Sequence, residues 1–356
     1  MSREDRSTLL RPPPPDPSKA PIENALEVTE VGVLGQDIFT NTRKAWTPSG
    51  ARGIYGGTVI AQCLAAAQKT VEDDFVPHSC HCYFLLAGSS GLPILMHVER
   101  VRDGRSFATR TVQARQRGRC IFTMTVSFVR SRDDDGSHGS HGSSAVHHAV
   151  PPPPGARTPP PADYDDADGP AWARGGPFQH VPLPFFPRSA DSDSGSGSGS
   201  AEPEPSVHSP QPPHLLRCQQ WMRCRGTISP AGGLPAHLNA LAYISDSAFL
   251  VTAVRAHRLW RLPFPPQEYH ALPEPQKRHV EHLARHDDLG HSPEEWALRP
   301  RLGMMVSLDH SIYFHAPRRV RVDEWMFADM DSPWAGDGRG FVTQRIFARD
   351  GTLLAT

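Results

Sequence analysis

The sequence predicts an α+β protein made of two similar domains, each with one long buried helix followed by antiparallel strands. The first observation is an internal repeat, because residues 102–110 (RDGRSFATR) return as residues 336–344 (GDGRGFVTQ). The second is that an apolar segment precedes each copy, at residues 55–70 and 235–254. A helix that is apolar nearly all round is a buried helix, and wrapping a sheet around it is the economical way to bury it.

Length and charge fit two ordinary domains and exclude several functional classes. The chain has 356 residues and a formal net charge of -1, which argues against a nucleic-acid partner or a general anionic-membrane surface. No apolar run approaches the roughly 20 residues that a membrane span needs. The charged N-terminus (MSREDR) is followed by no apolar segment, so we expect no secretory signal. A reducing compartment is then expected for the six cysteines.

The first part of the chain is predicted to be a tail followed by a compact unit. Residues 1–25 include the run RPPPPDP and are predicted to be disordered. Residues 26–130 form the N-terminal unit, whose helix follows two glycines that let the backbone pack closely or place N–H groups near a ligand. Turn residues between apolar runs place its strands near residues 77–86, 92–102, 106–117 and 119–130.

A change in composition separates this unit from a second one. Residues 131–213 are rich in Pro, Gly and Ser and are predicted to be a disordered linker, with one apolar island at 178–186 that docks on a folded domain. Residues 214–356 form the C-terminal unit, with a polar surface insertion at 263–291 that contains a helix at 274–286. Its strands are expected near residues 219–225, 304–314, 323–331, 340–349 and 352–356.

The second copy of the repeat is shorter than the first. Residues 351–356 (GTLLAT) match residues 118–123 (GRCIFT), and the first copy then continues with residues 124–128, whereas the chain given ends at Thr356. We therefore expect the last strand of the C-terminal unit to be incomplete.

Residues 78–82 (HSCHC) bring histidine and cysteine together, as metal sites do. Alternation along a strand, however, sends Cys80 and Cys82 to one face and His81 to the other. We therefore expect buried thiols and no metal site. The scattered histidines of the linker are expected to be solvated; they are His138, His141, His147 and His148.

Asp246 interrupts an otherwise apolar helical segment, between Ile244 and Phe249. A buried carboxylate is costly unless it is paired or functional. The pattern alone leaves two interpretations open: a functional group, or a residue at the solvent edge that bonds locally to Ser245 or Ser247.

One buried helix followed by antiparallel strands is the hot-dog architecture, and two copies predict a tandem (double) hot-dog whose sheets pair edge to edge. Several segments, in order along both units, resemble the acyl-CoA thioesterase II family. These segments are YGGTVIAQ (55–62), HSCHCYFL (78–85), RDGRSF (102–107), LAYISD (241–246) and LDHSIYFH (308–315).

The resemblance implies hydrolysis of a fatty acyl-CoA thioester to free acid and CoA, with CoA as part of the substrate and no separate cofactor. It also implies that a helix Asp, a Ser or Thr on the following strand, and a Gln near the C-terminus hold and activate one water. Asp246 and Ser307 match the first two positions. The chemistry is sensible because a carboxylate can accept the water's proton and a hydroxyl can orient the water.

Two departures from the family pattern keep alternatives open. Residues 84–89 read FLLAGS where the family reads FLRPGD, and the Gln position falls beyond Thr356. The alternative is thus a catalytically weakened acyl-CoA-binding protein. A hot-dog enoyl-CoA hydratase is disfavoured because the sequence contains no Asn-Pro pair. Alternation puts Asp309 and His310 on opposite faces, so structural roles are expected for both, with His310 an outside candidate for acid–base chemistry.

The resemblance bears on location and assembly as well. Eukaryotic relatives are often peroxisomal through a C-terminal tripeptide, and the final LAT of this chain is not one. We expect a peroxisomal or cytoplasmic protein. We also expect copies of the chain to associate through their hot-dog sheets. CoA-binding residues are not assigned by any motif.

Overall fold

The computed structural model describes residues 12–48, 51–130, 146, 148–166, 176–183, 185, 212–262 and 264–356. The first repeat contains helices α1 (Pro21–Leu26) and α2 (Gly56–Gln68) and strands β1 (Val28–Glu30), β2 (Ile38–Asn41), β3 (Phe75–Phe84), β4 (Leu95–Asp103), β5 (Phe107–Gln116) and β6 (Arg119–Arg130). The second contains strands β7 (Phe178–Pro182) and β8 (Arg217–Cys224), helices α3 (Gly233–Ile244), α4 (Phe249–Ala256), α5 (Glu274–His286) and α6 (Pro293–Ala297), and strands β9 (Asp309–Tyr313), β10 (Met326–Gly336), β11 (Arg339–Ala348) and β12 (Leu353–Ala355).

The strands form one antiparallel layer that joins the two repeats. One sheet has the order β1-β2-β4-β5-β6-β3-β9, and the other has the order β12-β11-β10-β8-β7. Strand β9 belongs to the second repeat but pairs with β3 of the first, with Ile312 opposite Cys80. Strand β12 lies beside the end of β9, where Ala355 pairs with Phe314. The double hot-dog and the edge-to-edge pairing of its sheets are therefore confirmed.

Helices α2 and α3 contact each other and form the centre of the core. The side chains from Gly57 to Ala67 in α2 are buried, as are those from His237 to Ile244 in α3. They pack in one cluster with the inward faces of the strands. Strand β6 shows the alternation that this requires, since Met124 and Val126 are buried while Thr125 between them is exposed.

The strand β3 also alternates as the sequence predicts. Cys80 and Cys82 are buried and His81 is exposed. The His81 ring instead lies on the outer face of the sheet, where its Nδ1 is 2.9 Å from the Ser311 hydroxyl of β9.

The apolar segment 235–254 is two helices, and the prediction of a single helix is wrong. Helix α3 ends at Ile244, and a turn precedes α4. Ala248 in this turn has a left-handed φ of 59°, and the Ser245 hydroxyl donates a hydrogen bond to the Ala242 carbonyl (2.9 Å). Serine and aspartate side chains compete with helical hydrogen bonds, so the Ser-Asp-Ser sequence is a local reason for the break. Asp246 therefore lies in a turn.

The structure also differs from the prediction of disorder at both ends of the first repeat. Helix α1 lies within the predicted tail, and Glu23 accepts hydrogen bonds from the Ser229 N–H (2.9 Å) and hydroxyl (2.6 Å). Strand β7 lies within the predicted linker and pairs with β8, so the apolar island docks as predicted. Residues 1–11 of the tail and residues 131–145, 147, 167–175, 184 and 186–211 of the linker lie outside the described residues. The predictions for His138, His141 and His147 therefore fall outside them as well, whereas His148 is exposed, as expected.

Residues 148–166, which we name the linker strap, cover the outer face of the second sheet. Aromatic residues of that face form an apolar cluster apart from the main core, and Tyr164 of the strap packs against it. The Trp325 indole donates to the Pro161 carbonyl (3.3 Å), and both carboxylate oxygens of Asp166 bond to the Arg225 guanidinium. The strap contains few apolar residues. The outer face of the second sheet supplies the apolar surface against which some of them pack.

The insertion between α4 and β9 has a small core of its own. Trp260 and Trp296 stack there with their ring centroids 5.7 Å apart, and the predicted helix coincides with α5. The buried Asp287 carboxylate is paired with Arg255 (2.7 Å) and Arg261 (2.9 Å), as a buried charge requires. Across the described ranges, none of the helices combines the length and apolar character needed to cross a bilayer.

We expect Tyr164→Ala to lower the free energy of unfolding by about 1–2 kcal/mol, because its ring packs edge-on against Trp325 at 5.8 Å. Chemical denaturation measures this loss, with Val150→Ala as the control because Val150 is an exposed residue of the same strap. Equal stability of the Tyr164 variant and the parent protein would show that this aromatic contact contributes nothing.

Candidate active site

The turn between α3 and α4 places Asp246 against the N-terminus of α2. The Gly57 backbone N–H donates a hydrogen bond to Asp246 Oδ2 (2.9 Å). The first N–H groups of a helix have no partner within the helix, and the helix dipole favours a negative charge there. A carboxylate of the second repeat thus caps the central helix of the first.

The other carboxylate oxygen of Asp246 is available for chemistry. Oδ1 is buried and makes no hydrogen bond to the residues that the structure describes. Burial raises the pKa of Asp246 to about 7, and the Gly57 hydrogen bond, which lowers it, offsets only part of that rise. A carboxyl group that ionises near neutral pH and keeps one oxygen unpartnered is suited to accept a proton from water.

Two glycines permit this close approach. A Cβ atom on Gly56 would lie 2.8 Å from Asp246 Oδ2 and 2.9 Å from the Phe84 ring. A Cβ atom on Gly57 would collide with the Tyr243 carbonyl oxygen. A larger side chain at Gly56 must displace the Asp246 carboxylate, and one at Gly57 must displace helix α3. The close packing expected from the Gly-Gly pair is therefore confirmed.

Aromatic rings form an apolar wall beside the carboxylate. The Tyr55 hydroxyl donates to the Tyr243 carbonyl (3.1 Å), and the two rings meet edge-on at 4.9 Å. Trp46 extends this row at 5.7 Å from Tyr55, and Phe178 of β7 stacks on Tyr243 at 5.9 Å. Burial, and then the nearby Asp246 charge, raises the pKa of Tyr55 well above its ordinary value. Burial, and then the same charge, also raises the pKa of Tyr243. Both tyrosine hydroxyls therefore stay neutral while Asp246 ionises.

Ser307 lies two residues before β9 rather than on the strand. Its neighbour Leu308 accepts a hydrogen bond from the Phe84 N–H (3.0 Å), and the Phe84 ring lies beside Gly56 and Asp246. Ser307 is half-buried, and its hydroxyl bonds to none of the described residues. The two predicted site residues thus share a neighbourhood without a hydrogen bond between them.

Sequence reasoning missed the groups that other elements bring to Asp246. The Gly57 N–H is 189 positions away, so no local pattern could indicate it. His310 is buried, as its alternation with exposed Asp309 predicts, but its contact with Ser245 (3.0 Å) carries no sequence signal except a polar residue on the inner face of a strand.

Among the residues that the structure describes, a cavity lies away from Asp246 and no metal-binding cluster is present. Within the described ranges, no three His, Cys, Asp or Glu side chains are grouped as a metal site would require. A cavity of about 540 Å³ lies at the opposite end of α3, lined among others by Asp73, Gly233 and His237. It does not include Asp246, and its lining combines acidic and basic side chains.

Comparisons with known proteins find relatives for both repeats. Residues 42–129 match a family model described as acyl-CoA thioesterase N-terminal domain, and residues 156–356 match the corresponding C-terminal domain. Acyl-coenzyme A thioesterase 8 of Homo sapiens is 32% identical over 326 residues, which cover 91% of this chain and 83% of that protein. Acyl-CoA thioesterase 2 of Haemophilus influenzae is 27% identical over 311 residues, 86% of each chain.

Solved structures agree with the architecture. An acyl-CoA thioesterase II from Mycobacterium marinum superposes with a TM-score of 0.56 and 26% identity, over 94% of this chain and 93% of that one. A protein of Mycobacterium avium subs paratuberculosis gives a TM-score of 0.58 at 21% identity, over 95% and 96% of the two chains. The second match supports the fold alone.

We expect Gly57→Ala to reduce activity by at least about tenfold and to destabilise the protein by about 1–3 kcal/mol, because the added methyl group separates α2 from the α3 turn. Steady-state kinetics and chemical denaturation measure the two effects. Gly32→Ala is the matched control, since a Cβ atom there meets nothing within 4 Å. A Gly57 variant with parental kinetics would contradict the close packing described for this site.

Proposed function

The chain belongs to the acyl-CoA thioesterase II family, and we propose that it hydrolyses fatty acyl-CoA thioesters with a water molecule that Asp246 activates. The observation that carries the mechanism is the buried, unpartnered Oδ1 of Asp246 beside the N-terminus of α2. Membership of the family supplies the reaction class. The geometry supports the choice of the base.

The proposed reaction has two steps. Water adds through its oxygen to the thioester carbonyl carbon, and one of its protons passes to Asp246 Oδ1. The tetrahedral intermediate then collapses, the C–S bond breaks, and the proton returns from Asp246 to the leaving thiolate. The products are a free fatty acid and the CoA thiol. A base with a pKa near 7 is matched to both transfers, since it takes and gives the proton at similar cost.

The helix terminus has two uses in this mechanism. The Gly57 N–H holds Oδ2, which leaves Oδ1 as the proton acceptor. The partial positive charge at the start of α2 also favours the negative charge that develops on the thioester oxygen. The aromatic wall of Tyr55 and Tyr243 limits water on one side of the carboxylate, which strengthens these electrostatic effects.

Ser307 is proposed to orient the water. Its hydroxyl makes no hydrogen bond to the described residues, and Leu308 ties its segment to Phe84 beside the carboxylate. A hydroxyl can accept from one water hydrogen and leave the oxygen lone pair aimed at the carbonyl carbon. Association of copies through their sheets, and location in the peroxisome or cytoplasm, stay predictions.

We expect Asp246→Asn to lower kcat for a long-chain acyl-CoA by about 10²–10⁴-fold, the range lost with a general base. Thiol release measures this rate. Because the base acts in its ionised form, kcat/KM of the parent chain should rise with pH and level off above about pH 7. Asp309→Asn, which changes an exposed acid of β9, should keep the parental rate. An active Asp246 variant would contradict the mechanism, whereas an inactive parent chain would favour the acyl-CoA-binding alternative.

The same variant has an expected effect on stability that rules out simple misfolding. The folded-state pKa of about 7 lies above the ordinary value of 3.8, so burial of Asp246 costs no stability below about pH 4, and the cost develops between about pH 4 and pH 7. The full difference corresponds to about 4 kcal/mol, which solvent access to the half-buried side chain reduces. Asp246→Asn should therefore be about 1–3 kcal/mol more stable than the parent at pH 8.

We expect Ser307→Ala to lower kcat by about 10–100-fold with little change in KM, because the hydroxyl acts on the water rather than on substrate binding. Ser311→Ala is the matched control. It removes a serine hydroxyl from the neighbouring strand that faces the outer surface and bonds to His81. Similar kcat values for the two variants would remove Ser307 from the site.

A further inference from the structure

We propose that His310 is a positioning residue that fixes, through the Ser245 hydroxyl, the turn that carries Asp246. The inference rests on the proposed role of Asp246 and adds a residue that the family comparison did not bring to the site. In this role His310 holds the proposed base in place through Ser245 and does not itself contact the reacting atoms.

The hydrogen bonds fix the direction of every proton in this contact. Ser245 Oγ lies 2.9 Å from the Ala242 carbonyl oxygen, which can only accept, so the single hydroxyl hydrogen is donated there. Ser245 Oγ also lies 3.0 Å from His310 Nε2. With its hydrogen already used, the hydroxyl must accept from His310. The imidazole is therefore the Nε2–H tautomer.

The surroundings of His310 are apolar and hold the ring in one orientation. The side chain is 4% exposed, and its ring meets Phe249 of α4 edge-on at 5.1 Å. Its backbone is held by β3, where Cys82 pairs with it in the ladder. Nδ1 is buried without a partner among the described residues. A buried imidazole with one orphan nitrogen is costly, which argues that its single hydrogen bond has a use.

The hydrogen bond between His310 and Ser245 immobilises the turn that interrupts the helix. Residues 245–248 form the turn between α3 and α4. The Ser245 N–H still donates to the Leu241 carbonyl (3.0 Å), and the Ser247 N–H donates to the Ile244 carbonyl (2.9 Å). The Ser245 hydroxyl is held on one side by Ala242 of α3 and on the other by His310 of β9. The turn is thereby tied to the sheet one residue before the base.

A Ser–His contact also invites a nucleophile–base interpretation, which the environment opposes. Ser245 is 3% exposed, so a thioester carbonyl could not reach its oxygen without opening the turn. Burial lowers the pKa of His310 to about 4, which makes the imidazole a poor base at neutral pH. Positioning is the role that this geometry allows.

The test uses a pair of variants that differ in the reach of one amide. The side-chain nitrogen of Gln in His310→Gln extends as far as Nε2, whereas that of Asn in His310→Asn ends near Nδ1. We expect His310→Asn to lower kcat by about 10–100-fold with KM unchanged, and His310→Gln to restore most of it. Ser245→Ala removes the same hydrogen bond from the other partner and should match His310→Asn.

The pH profile separates positioning from a general loss of stability. A loosened turn admits water to Asp246, so the acid limb of kcat/KM should move to lower pH in His310→Asn and stay in place in His310→Gln. The titratable groups that face this region are Tyr55, Tyr243 and Cys82. Burial raises the pKa of the two tyrosines, and a hydrogen bond with Cys80, followed by burial, raises the pKa of Cys82. They remain neutral near pH 7, so the acid limb of the kcat/KM profile reports the ionisation of Asp246.

His81→Asn is the matched control, because it removes an exposed histidine that also contacts a serine hydroxyl, Ser311, at 2.9 Å. The double variant Ser245→Ala with His310→Asn should be no slower than either single variant if both act through one hydrogen bond. Parental kcat and pH profile in His310→Asn, or no rescue by Gln, would overturn the proposal. So would a burst of acyl-enzyme that Ser245→Ala abolishes. Activity retained in Asp246→Asn would instead overturn the proposed function.

Discussion

The structure depends on one hydrogen bond between its repeats, from the Gly57 N–H to the Asp246 carboxylate. It requires the start of α2 and the end of α3 to meet, so the two helices must run in opposite directions. The other end of the pair satisfies the same condition, since Asp73 just beyond α2 and Gly233 at the start of α3 line one cavity. The pairing of β3 with β9 sets this arrangement in the sheet. The hydrogen bond between Gly57 and Asp246 therefore forms only when the helices and the strands of the two repeats are paired.

The two ends of the helix pair are alike in architecture and different in chemistry. Beyond α2 the chain presents Thr70, and the buried Arg110 donates to its hydroxyl (2.8 Å). At the start of α3, the Glu23 carboxylate is held by the N–H and hydroxyl of Ser229. These groups are engaged in structural bonds, whereas Asp246 keeps one buried oxygen unpartnered. The duplication supplies two comparable ends, and the residues at them leave one suited to proton transfer.

The repeat and the hydrophobic period predicted the parts of the fold that local sequence controls. Helix α2, the strands that follow it and helix α5 occur where the pattern placed them. The break at Ser245–Ala248 was missed because apolar residues continue on both sides of it and periodicity does not register a turn. The linker strap was missed because its apolar partners, such as Trp325, lie on a sheet remote in sequence. Asp246 was identified by its polarity, but the atoms that tune it come from other elements.

The break in the helix explains how the Asp246 side chain, whose burial costs free energy, can be directed towards the start of α2. In a continuous helix, core packing fixes the direction of every side chain at about 100° per residue, so a residue at position 246 would point where the neighbouring apolar residues require. Ending α3 at Ile244 separates the direction of Asp246 from that packing. The freedom gained must then be removed, because a base displaced by even about 1 Å loses much of its effect. Gly57 restrains the carboxylate, and the Ser245 hydroxyl between Ala242 and His310 restrains the backbone.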